Sequence, residues 1–226
     1  MPNPYWPLFD LRLTTPRLEL RLPGDGDLVR LADVVAGGLY DPDVPPLIVA
    51  PWVDEPSPRR EWGLLQYHWR CLADWDPGRW TLPLMATAGG QPIGVQALAG
   101  TNFAVTRAVS TRSWLGRPYQ GQGLGTEMRV AVLHLAFHEL GAEVAYSEAW
   151  EDNLAALAIS RRLGYRDNGE QVVVRRGVPV RLVGLRLERP SWQAARKVQV
   201  AADGLEPCLD MFLGGAGTGT RTSGRL

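Results

Sequence analysis

Three glycines alternate with other residues at the junction between an apolar strand pattern and a long helical pattern. They are Gly121, Gly123 and Gly125, within residues 120–126, which we call the glycine loop. Glycines at such a junction leave backbone N–H groups uncovered beside the positive end of a helix dipole. N–H groups in that arrangement bind phosphate or pyrophosphate, so the loop predicts a phosphate-bearing ligand.

The spacing of the glycines narrows the choice of ligand. A dinucleotide fingerprint needs its third glycine three residues after the second, whereas Gly125 follows Gly123 by two. A P-loop needs a lysine after its last glycine, and the loop contains none. The pattern that remains is Gln120-x-x-Gly123-x-Gly125. The predicted ligand-binding residues are Gln120, Gly121, Gln122, Gly123, Leu124, Gly125 and Thr126.

Strand and helix patterns surround this loop. An apolar strand is expected over 108–115, and a helix over 124–140 that Gly141 ends. A short strand follows at 144–147, and Asp152 and Asn153 are typical caps for a further helix. Other patterns predict strands at 18–22, 80–87, 92–99, 171–176 and 180–188, and helices at 24–35 and from 58. The mixture of strands and helices indicates an α+β fold.

Two other segments bear on the substrate side. Residues 37–57 carry five prolines and two glycines and predict a long loop, which in a compact domain is often a substrate-side element. In the helix that follows, an apolar stripe recurs at helical spacing. It comprises Trp62, Leu65, Trp69 and Leu72, and we expect it to pack in the core.

Composition bounds the class of protein. The 226 residues include 24 basic and 24 acidic residues, so the formal net charge of zero gives no reason to expect nucleic acid or an anionic membrane as partner. No apolar stretch approaches the roughly 20 residues of a membrane helix, and no secretory signal pattern opens the sequence. We expect a cytoplasmic protein. The two cysteines, Cys71 and Cys208, favour reduced thiols over one disulfide.

The chain is expected to divide into three parts. Residues 1–12 form an N-terminal arm broken by prolines, and residues 13–190 form the main domain. Residues 191–226 form a C-terminal extension that either covers an edge of the sheet or joins a second subunit. Its Gly/Thr-rich end, 214–226, is expected to be disordered.

Further motifs carry a family resemblance. The order of elements and the glycine loop resemble the GNAT acyltransferases, which bind acyl-coenzyme A. Residues 15–21, Thr-Pro-Arg-Leu-Glu-Leu-Arg, resemble the opening strand of the ribosomal-protein N-terminal acetyltransferase branch. Residues 153–165, Asn-x6-Ser-Arg-Arg-Leu-Gly-Tyr, resemble its second cofactor segment. Residues 113–116 and 165–169 are similar to an actinobacterial subgroup that includes a mycobacterial succinyltransferase.

The resemblance implies a fold, a reaction and a donor. The fold is a mixed, mostly antiparallel sheet of about seven strands with about four helices. The reaction is transfer from succinyl-CoA or acetyl-CoA to a primary amine by direct attack in a ternary complex. The acceptor is a protein amine or a small molecule, and a homodimer is expected.

The resemblance also assigns residues. The pantetheine arm of the donor would lie along Trp114-Leu115-Gly116, where the Leu115 N–H polarises the thioester carbonyl. Asn153 would cap its helix and also bind the pantetheine arm. Many GNAT enzymes have a tyrosine at the position of Ser160 that protonates the leaving thiolate; the serine would serve as a weaker acid or only pack in its helix. Apart from the resemblance, Arg161 or its neighbour Arg162 is expected to contact the phosphates, with solvated surface arginines as the alternative.

The general base and a metal site are less defined by the sequence. Glu148 and Glu127 are candidate bases. The structural alternative for Glu148 is a solvated residue at a strand edge, and for Glu127 a first-turn residue that favours the helix dipole. His134 and His138 lie four residues apart on one helix, but the sequence places no third ligand, so no metal is predicted. A non-catalytic acyl-CoA sensor is the alternative function, and a nucleotide-binding protein a remoter one.

Overall fold

A computed structural model describes residues 3–40, 50, 52–195 and 198–214. Its strands are β1 (Arg12–Thr14), β2 (Glu19–Arg21), β3 (Arg79–Ala88), β4 (Gln91–Thr101), β5 (Ala108–Leu115), β6 (Val144–Trp150), β7 (Arg166–Arg175), β8 (Val178–Glu188) and β9 (Ala201–Asp203). Its helices are α1 (Asp25–Ala36), α2 (Arg59–Ala73), α3 (Phe103–Thr106), α4 (Leu124–His134), α5 (Leu154–Arg162), α6 (Arg189–Ala195) and α7 (Leu209–Leu213).

The strands form one sheet in the order β7-β8-β6-β5-β4-β3-β2-β1-β9. Every neighbouring pair is antiparallel except β5 and β6, which are parallel. The prediction of a mixed, mostly antiparallel sheet is therefore confirmed. The described residues add two three-residue strands, β1 and β9, and the short helices α3 and α7 to the predicted elements, whereas α6 is the short helix expected near Trp192.

Helices cover both faces of the sheet. Val109 and Trp114 lie five residues apart on β5 and therefore on opposite faces. Val109 belongs to the large apolar core with α4 and α5, and Trp114 to a second core with α1 and α2. The helix α4 is buried on nearly all sides and continues as a π-helical turn over Leu135–Glu139. Gly141, at φ +71°, then ends it as predicted.

The two tryptophans of the apolar stripe of α2 do not pack in the core as predicted, whereas its leucines, Leu65 and Leu72, pack against it. The side chains of Trp62 and Trp69 are 57% and 50% exposed, whereas Leu64 and His68 are buried. The reason is a close approach at Gly63, where an added Cβ atom would lie 2.3 Å from the Cβ of Trp52. Because Gly63 packs this closely on Trp52, the side of α2 that carries Gly63 faces inward. Trp62 and Trp69 then lie at the border between this side and solvent.

The N-terminal segment and the C-terminal extension pack against the sheet where they are described. Leu8 and Leu11, within the predicted arm, are fully buried. The C-terminal extension supplies β9, which pairs with β1 and covers that edge of the sheet. Phe212 of the extension packs against the ring of Trp80. The rest of the predicted disordered end and residues 41–49 and 51 of the proline-rich loop lie outside the described residues.

Candidate active site

The sheet opens between its two parallel strands. Pairing of β5 with β6 runs from Ala108 with Val144 to Thr111 with Ser147. Beyond this point, residues 112–115 of β5 pair with β4, and residues 148–150 of β6 pair with β8. Their facing edges have no strand partner within the described part of the chain. We call this opening the split; it exposes backbone groups to which an extended ligand can bond in the manner of a strand.

A cavity of about 190 Å³ lies at the split. Both diverging strands line it, together with β4, the segment around Trp52, α2, α4 and α5. The lining residues are Ala50, Trp52, Tyr67, Val95, Ala97, Thr111, Arg112, Ser113, Trp114, Arg129, Ser147, Glu148, Asn153 and Ala156. The predicted residue Trp114 of β5 is thus brought together with Glu148 and Asn153, which lie on β6 and at the start of the helix after it.

The backbone of Leu115 faces the split. Gly116 donates its N–H to the carbonyl of Ile93 on the other side of β5. Hydrogen bonding alternates from residue to residue along an antiparallel pair, so the N–H of the preceding residue, Leu115, points away from β4. This direction supports the predicted contact of the Leu115 N–H with a thioester carbonyl.

The glycine loop has the backbone that phosphate binding requires. Gly121 and Gly123 adopt φ values of +74° and +78°, in the left-handed region that favours glycine. No side chain caps the start of α4. The first-turn N–H groups of Leu124, Gly125 and Thr126 have no intrahelical acceptor and point out of the helix end. The loop therefore presents N–H donors at the positive end of α4.

Gln120 has a structural role in this loop. Its backbone N–H donates to the carbonyl of Arg117. Its side-chain amide donates to the carbonyls of Leu39 at 2.7 Å and Leu115 at 2.9 Å. The N–H of Gln120 is therefore occupied, which corrects the predicted start of the phosphate-binding N–H groups from Gln120 to Gly121.

A cation that the sequence analysis missed lies beside the loop. Arg17 donates from Nη1 to the carbonyl of Gln122 at 3.0 Å, and from Nε to the carboxylate of Glu127 at 2.6 Å. Thr15 also donates its hydroxyl to Glu127 at 2.6 Å. The motif that resembled an opening strand thus carries an arginine to the glycine loop. Glu127 holds that arginine, so its position fits the structural alternative and not a base at the split.

Asn153 caps α5 as predicted. Its side-chain oxygen accepts the N–H of Ala156 at 3.0 Å, while its backbone carbonyl accepts the N–H of Leu157. Because Asn153 also lines the cavity, the cap fixes its side chain at the wall of the split. The cap and a contact with the pantetheine arm are compatible, and the second stays a prediction.

Ser160 is placed differently from its predicted role. Its side chain is buried, and it is absent from the cavity lining. Its hydroxyl oxygen accepts a hydrogen bond from Nη1 of Arg129 at 3.2 Å. Arg129 is itself buried and lines the cavity. The group that faces the split at this point is therefore a guanidinium, which argues against Ser160 as a direct acid.

Arg129 is held by hydroxyl groups. Its Nη1 also donates to Ser147 and its Nη2 to Ser113, each at 3.4 Å. The hydroxyl of Tyr165 lies nearby and contacts Thr111 at 3.3 Å. Burial raises the pKa of Tyr165 more than the charge of Arg129 lowers it, so this hydroxyl stays protonated.

The other predicted polar residues lie at the surface. The carboxylate of Glu148 is partly exposed at the cavity, 3.8 Å from Nη2 of Arg112. That position suits a base acting through water. Arg161 forms an ion pair with Asp167 at 3.3 Å, near the end of α5 remote from Asn153. Its predicted phosphate contact stays a prediction.

One cluster of residues has the composition of a metal site. Glu139 Oε1 lies 3.1 Å from His134 Nε2 and 3.0 Å from His138 Nδ1. The three ligand atoms lie within 4.8 Å of one another. The carboxylate of Glu139 is the third possible ligand that the sequence did not place. Its hydrogen bonds with both imidazoles also explain the cluster without a metal. The prediction of no metal stays a prediction.

The family assignment rests on a family model. The model described as an acetyltransferase (GNAT) domain matches residues 17–166, which include β2, the glycine loop, the split and α5. The chain belongs to the GNAT acetyltransferase family. This confirms the predicted enzyme class, and coenzyme A as the carrier of the donor group. Within the described residues, no helix has the length and apolar character to span a membrane.

Solved structures share the GNAT fold at low sequence identity. A GCN5-related N-acetyltransferase from Brucella melitensis is 16% identical, with a TM-score of 0.65 and 81% of each chain covered. The ribosomal L7/L12 α-N-protein acetyltransferase RimL, in complex with coenzyme A, is 15% identical, with a TM-score of 0.59, 77% of this chain and 95% of that chain covered. A spermidine N-acetyltransferase chimera from Vibrio cholerae and hSSAT is 14% identical, with a TM-score of 0.60, 78% of this chain and 98% of that chain covered.

Proposed function

We propose that this GNAT enzyme transfers an acetyl or succinyl group from coenzyme A to a primary amine by direct attack in a ternary complex. The observation that carries the proposal is that the glycine loop, at the start of α4, lies next to the split, at the end of β5. The glycine loop offers N–H donors for the pyrophosphate, and the adjacent split offers an unpaired strand edge for the pantetheine arm.

The cavity supplies groups for the chemistry at the reacting end. The Leu115 N–H is directed to bind the thioester oxygen, and one well-placed donor of this kind is worth roughly 10²–10³ in rate. Glu148 is the proposed base, acting through water on the attacking amine. The part of the cavity lined by Trp52 and Tyr67 is the proposed side for the acceptor.

A covalent acyl-enzyme fits the structure poorly. Cys71 and Cys208 are both free thiols, and neither lines the cavity. Burial raises the pKa of each thiol to about 11, so both are protonated and weakly nucleophilic at neutral pH. Transfer without a cysteine intermediate is the simpler course.

The proposal of a succinyl donor is based on the resemblance to the actinobacterial subgroup. Arg112 and Arg129 of the cavity could also donate hydrogen bonds to a succinyl carboxylate. The acceptor classes are a protein N-terminus, a lysine side chain and a small polyamine or other metabolite. A cytoplasmic location and a homodimer stay predictions.

The test is release of the coenzyme A thiol on mixing the enzyme with acetyl-CoA or succinyl-CoA and a panel of amines. The panel contains peptides with free N-termini, N-acetylated peptides with one lysine, and polyamines. Amine-dependent thiol release with one acyl group added to the amine, seen by mass spectrometry, supports the proposal. Tight binding of acyl-CoA without transfer to any amine class supports the acyl-CoA sensor instead.

A further inference from the structure

Among the residues that the structure describes, Arg129 is a buried positive charge without a negative partner. Its side chain lies at the split, and its residue is 7% exposed. The ion pairs recorded for the described residues do not include it, and its Nε has no hydrogen-bond partner. A guanidinium stays protonated at any physiological pH, and burial of an unpaired charge is costly. Such a group is retained where a negative charge arrives or develops.

The contacts of Arg129 fix where that charge must arise. Nη2 reaches Ser113 on β5 and Nη1 reaches Ser147 on β6, so the guanidinium bridges the two strands where they part. Along α4, six residues separate it from Gly123, a rise of about 9 Å. A donor with its phosphates at the glycine loop and its acyl group at the split therefore passes the guanidinium near the thioester.

The charge balance of acyl transfer identifies the partner. The amine nitrogen attacks the carbonyl carbon, the N–C bond forms, and the C–S bond breaks with its electron pair going to sulfur. The attacking amine gives up one proton to the base or water. Negative charge therefore develops at the carbonyl oxygen and then at the sulfur. The N–H of Leu115 is directed at the first, and the alcohol of Ser160, which accepts a hydrogen bond from Arg129, is too weak an acid to protonate the second efficiently.

We propose that Arg129 is a catalytic residue that stabilises the leaving thiolate of coenzyme A as an ion pair. Ser113, Ser147 and Ser160 are its positioning residues, because their hydroxyl oxygens accept its N–H groups. The thiolate then departs without a proton from the protein. This inference rests on the proposed acyl-CoA function, and it accounts for a buried serine at the position where an acid was expected.

The first experiment uses the wild-type enzyme alone. Affinities of coenzyme A and of an analogue with hydrogen in place of the thiol are measured by calorimetry between pH 6 and 9. A guanidinium beside the sulfur lowers the pKa of the bound thiol below that of the free thiol. The affinity of coenzyme A relative to the analogue should therefore rise with pH, towards a limit of about tenfold for each unit by which binding lowers the thiol pKa. Equal affinities across this range would overturn the proposal, whereas failure of both ligands to bind would overturn the proposed function.

The second experiment compares Arg129→Met and Arg129→Lys with wild type, using acetyl-CoA and succinyl-CoA. We expect kcat of Arg129→Met to fall by roughly 10²–10³ with both donors, and partial recovery in Arg129→Lys. The thiol preference seen in the calorimetry should vanish in Arg129→Met. The matched control is Arg181→Met, which removes an exposed arginine that pairs with Glu170 on the β7–β8 hairpin.

Two results of the second experiment contradict the thiolate role. Loss of activity with succinyl-CoA alone would mean that Arg129 binds the carboxylate of the donor. Unchanged kcat with both donors would mean that Arg129 has a structural role only. If Arg129→Met fails to fold, the wild-type calorimetry and the Arg129→Lys variant still decide the question.

Discussion

The guanidinium of Arg17 lies 2.6 Å from the carboxylate of Glu127 and joins the segment before β2 to the first turn of α4. The same carboxylate accepts the hydroxyl of Thr15 and the backbone N–H of Arg17. The pair fixes one edge of the glycine loop, because Arg17 also donates to the carbonyl of Gln122. Glu127 therefore acts as an anchor for the loop and for the cation beside it.

Replacement of this anchor should give a pH-dependent loss of stability. Burial alone would raise the pKa of Glu127, but the hydrogen bonds from Thr15 and Arg17 outweigh it and lower the pKa below the ordinary value of 4.5. A lowered folded-state pKa stabilises the protein above the unfolded-state value, and the stabilisation is lost as the pH falls through the folded-state value. We expect Glu127→Gln to cost about 1–3 kcal/mol at pH 7 and less below about pH 4.5.

Urea unfolding of wild type and Glu127→Gln at several pH values between 3 and 7 measures this difference. Glu170→Gln is the matched control, because its carboxylate is exposed and pairs with exposed Arg181. The control should cost less than about 1 kcal/mol. A cost of Glu127→Gln that does not change with pH would contradict the anchor role.

Gly123→Ala should weaken donor binding beyond its effect on stability. An alanine at φ +78° is strained, and its methyl group would lie among the N–H donors, 3.5 Å from Nη2 of Arg17. Gly177→Ala is the control, since Gly177 has φ +80° in the β7–β8 turn with no atom near its added Cβ. Both variants should lose about 1–2 kcal/mol of stability. Only Gly123→Ala should lose about tenfold or more in affinity for coenzyme A by calorimetry.

The two roles of Asn153 can be separated by a pair of variants. Asn153→Ala removes the cap of α5 and should cost about 0.5–2 kcal/mol, whereas Asn153→Ser keeps a capping oxygen. If the amide also binds the pantetheine arm, both variants lose donor affinity while only the first loses stability. Thermal unfolding and calorimetric titration with acetyl-CoA measure the two effects. Wild-type affinity in Asn153→Ser would reduce Asn153 to a cap.

Glu148→Gln tests the base. The change keeps the size of the side chain and removes its ability to accept a proton through water. We expect kcat/KM to fall by about 10²–10⁴ and the acidic limb of the pH–rate profile to disappear. Glu170→Gln serves again as the control. A profile of wild-type shape and height in Glu148→Gln would assign proton removal to solvent or to another group.

Local signals predicted much of this fold and site. The positive φ values at Gly121 and Gly123, the stop at Gly141 and the cap at Asn153 each follow from a short stretch of sequence. The long strands and helices carried clear periodicity. In contrast, β1 and β9 were not predicted; each has three residues and forms by pairing, β1 with β2 and β9 with β1.

The parts that could not be predicted depend on contacts between distant segments. Arg129 reads in the sequence as one more arginine on a helix, and only the packing of β5, β6 and α5 shows it buried among serines. Arg17 likewise gains its role from Glu127, 110 residues away. The inward face of α2 is decided by the contact of Gly63 with Trp52, which hydrophobicity along the helix does not reveal.

The most direct measurement of the central claim is calorimetric titration of the full chain with acetyl-CoA, succinyl-CoA, coenzyme A and NAD. The account predicts saturable one-site binding of the coenzyme A species, about tenfold or more weaker in Gly123→Ala, and no binding of NAD. Preference for succinyl-CoA over acetyl-CoA would identify the donor. No binding of any coenzyme A species by the folded protein would contradict the account.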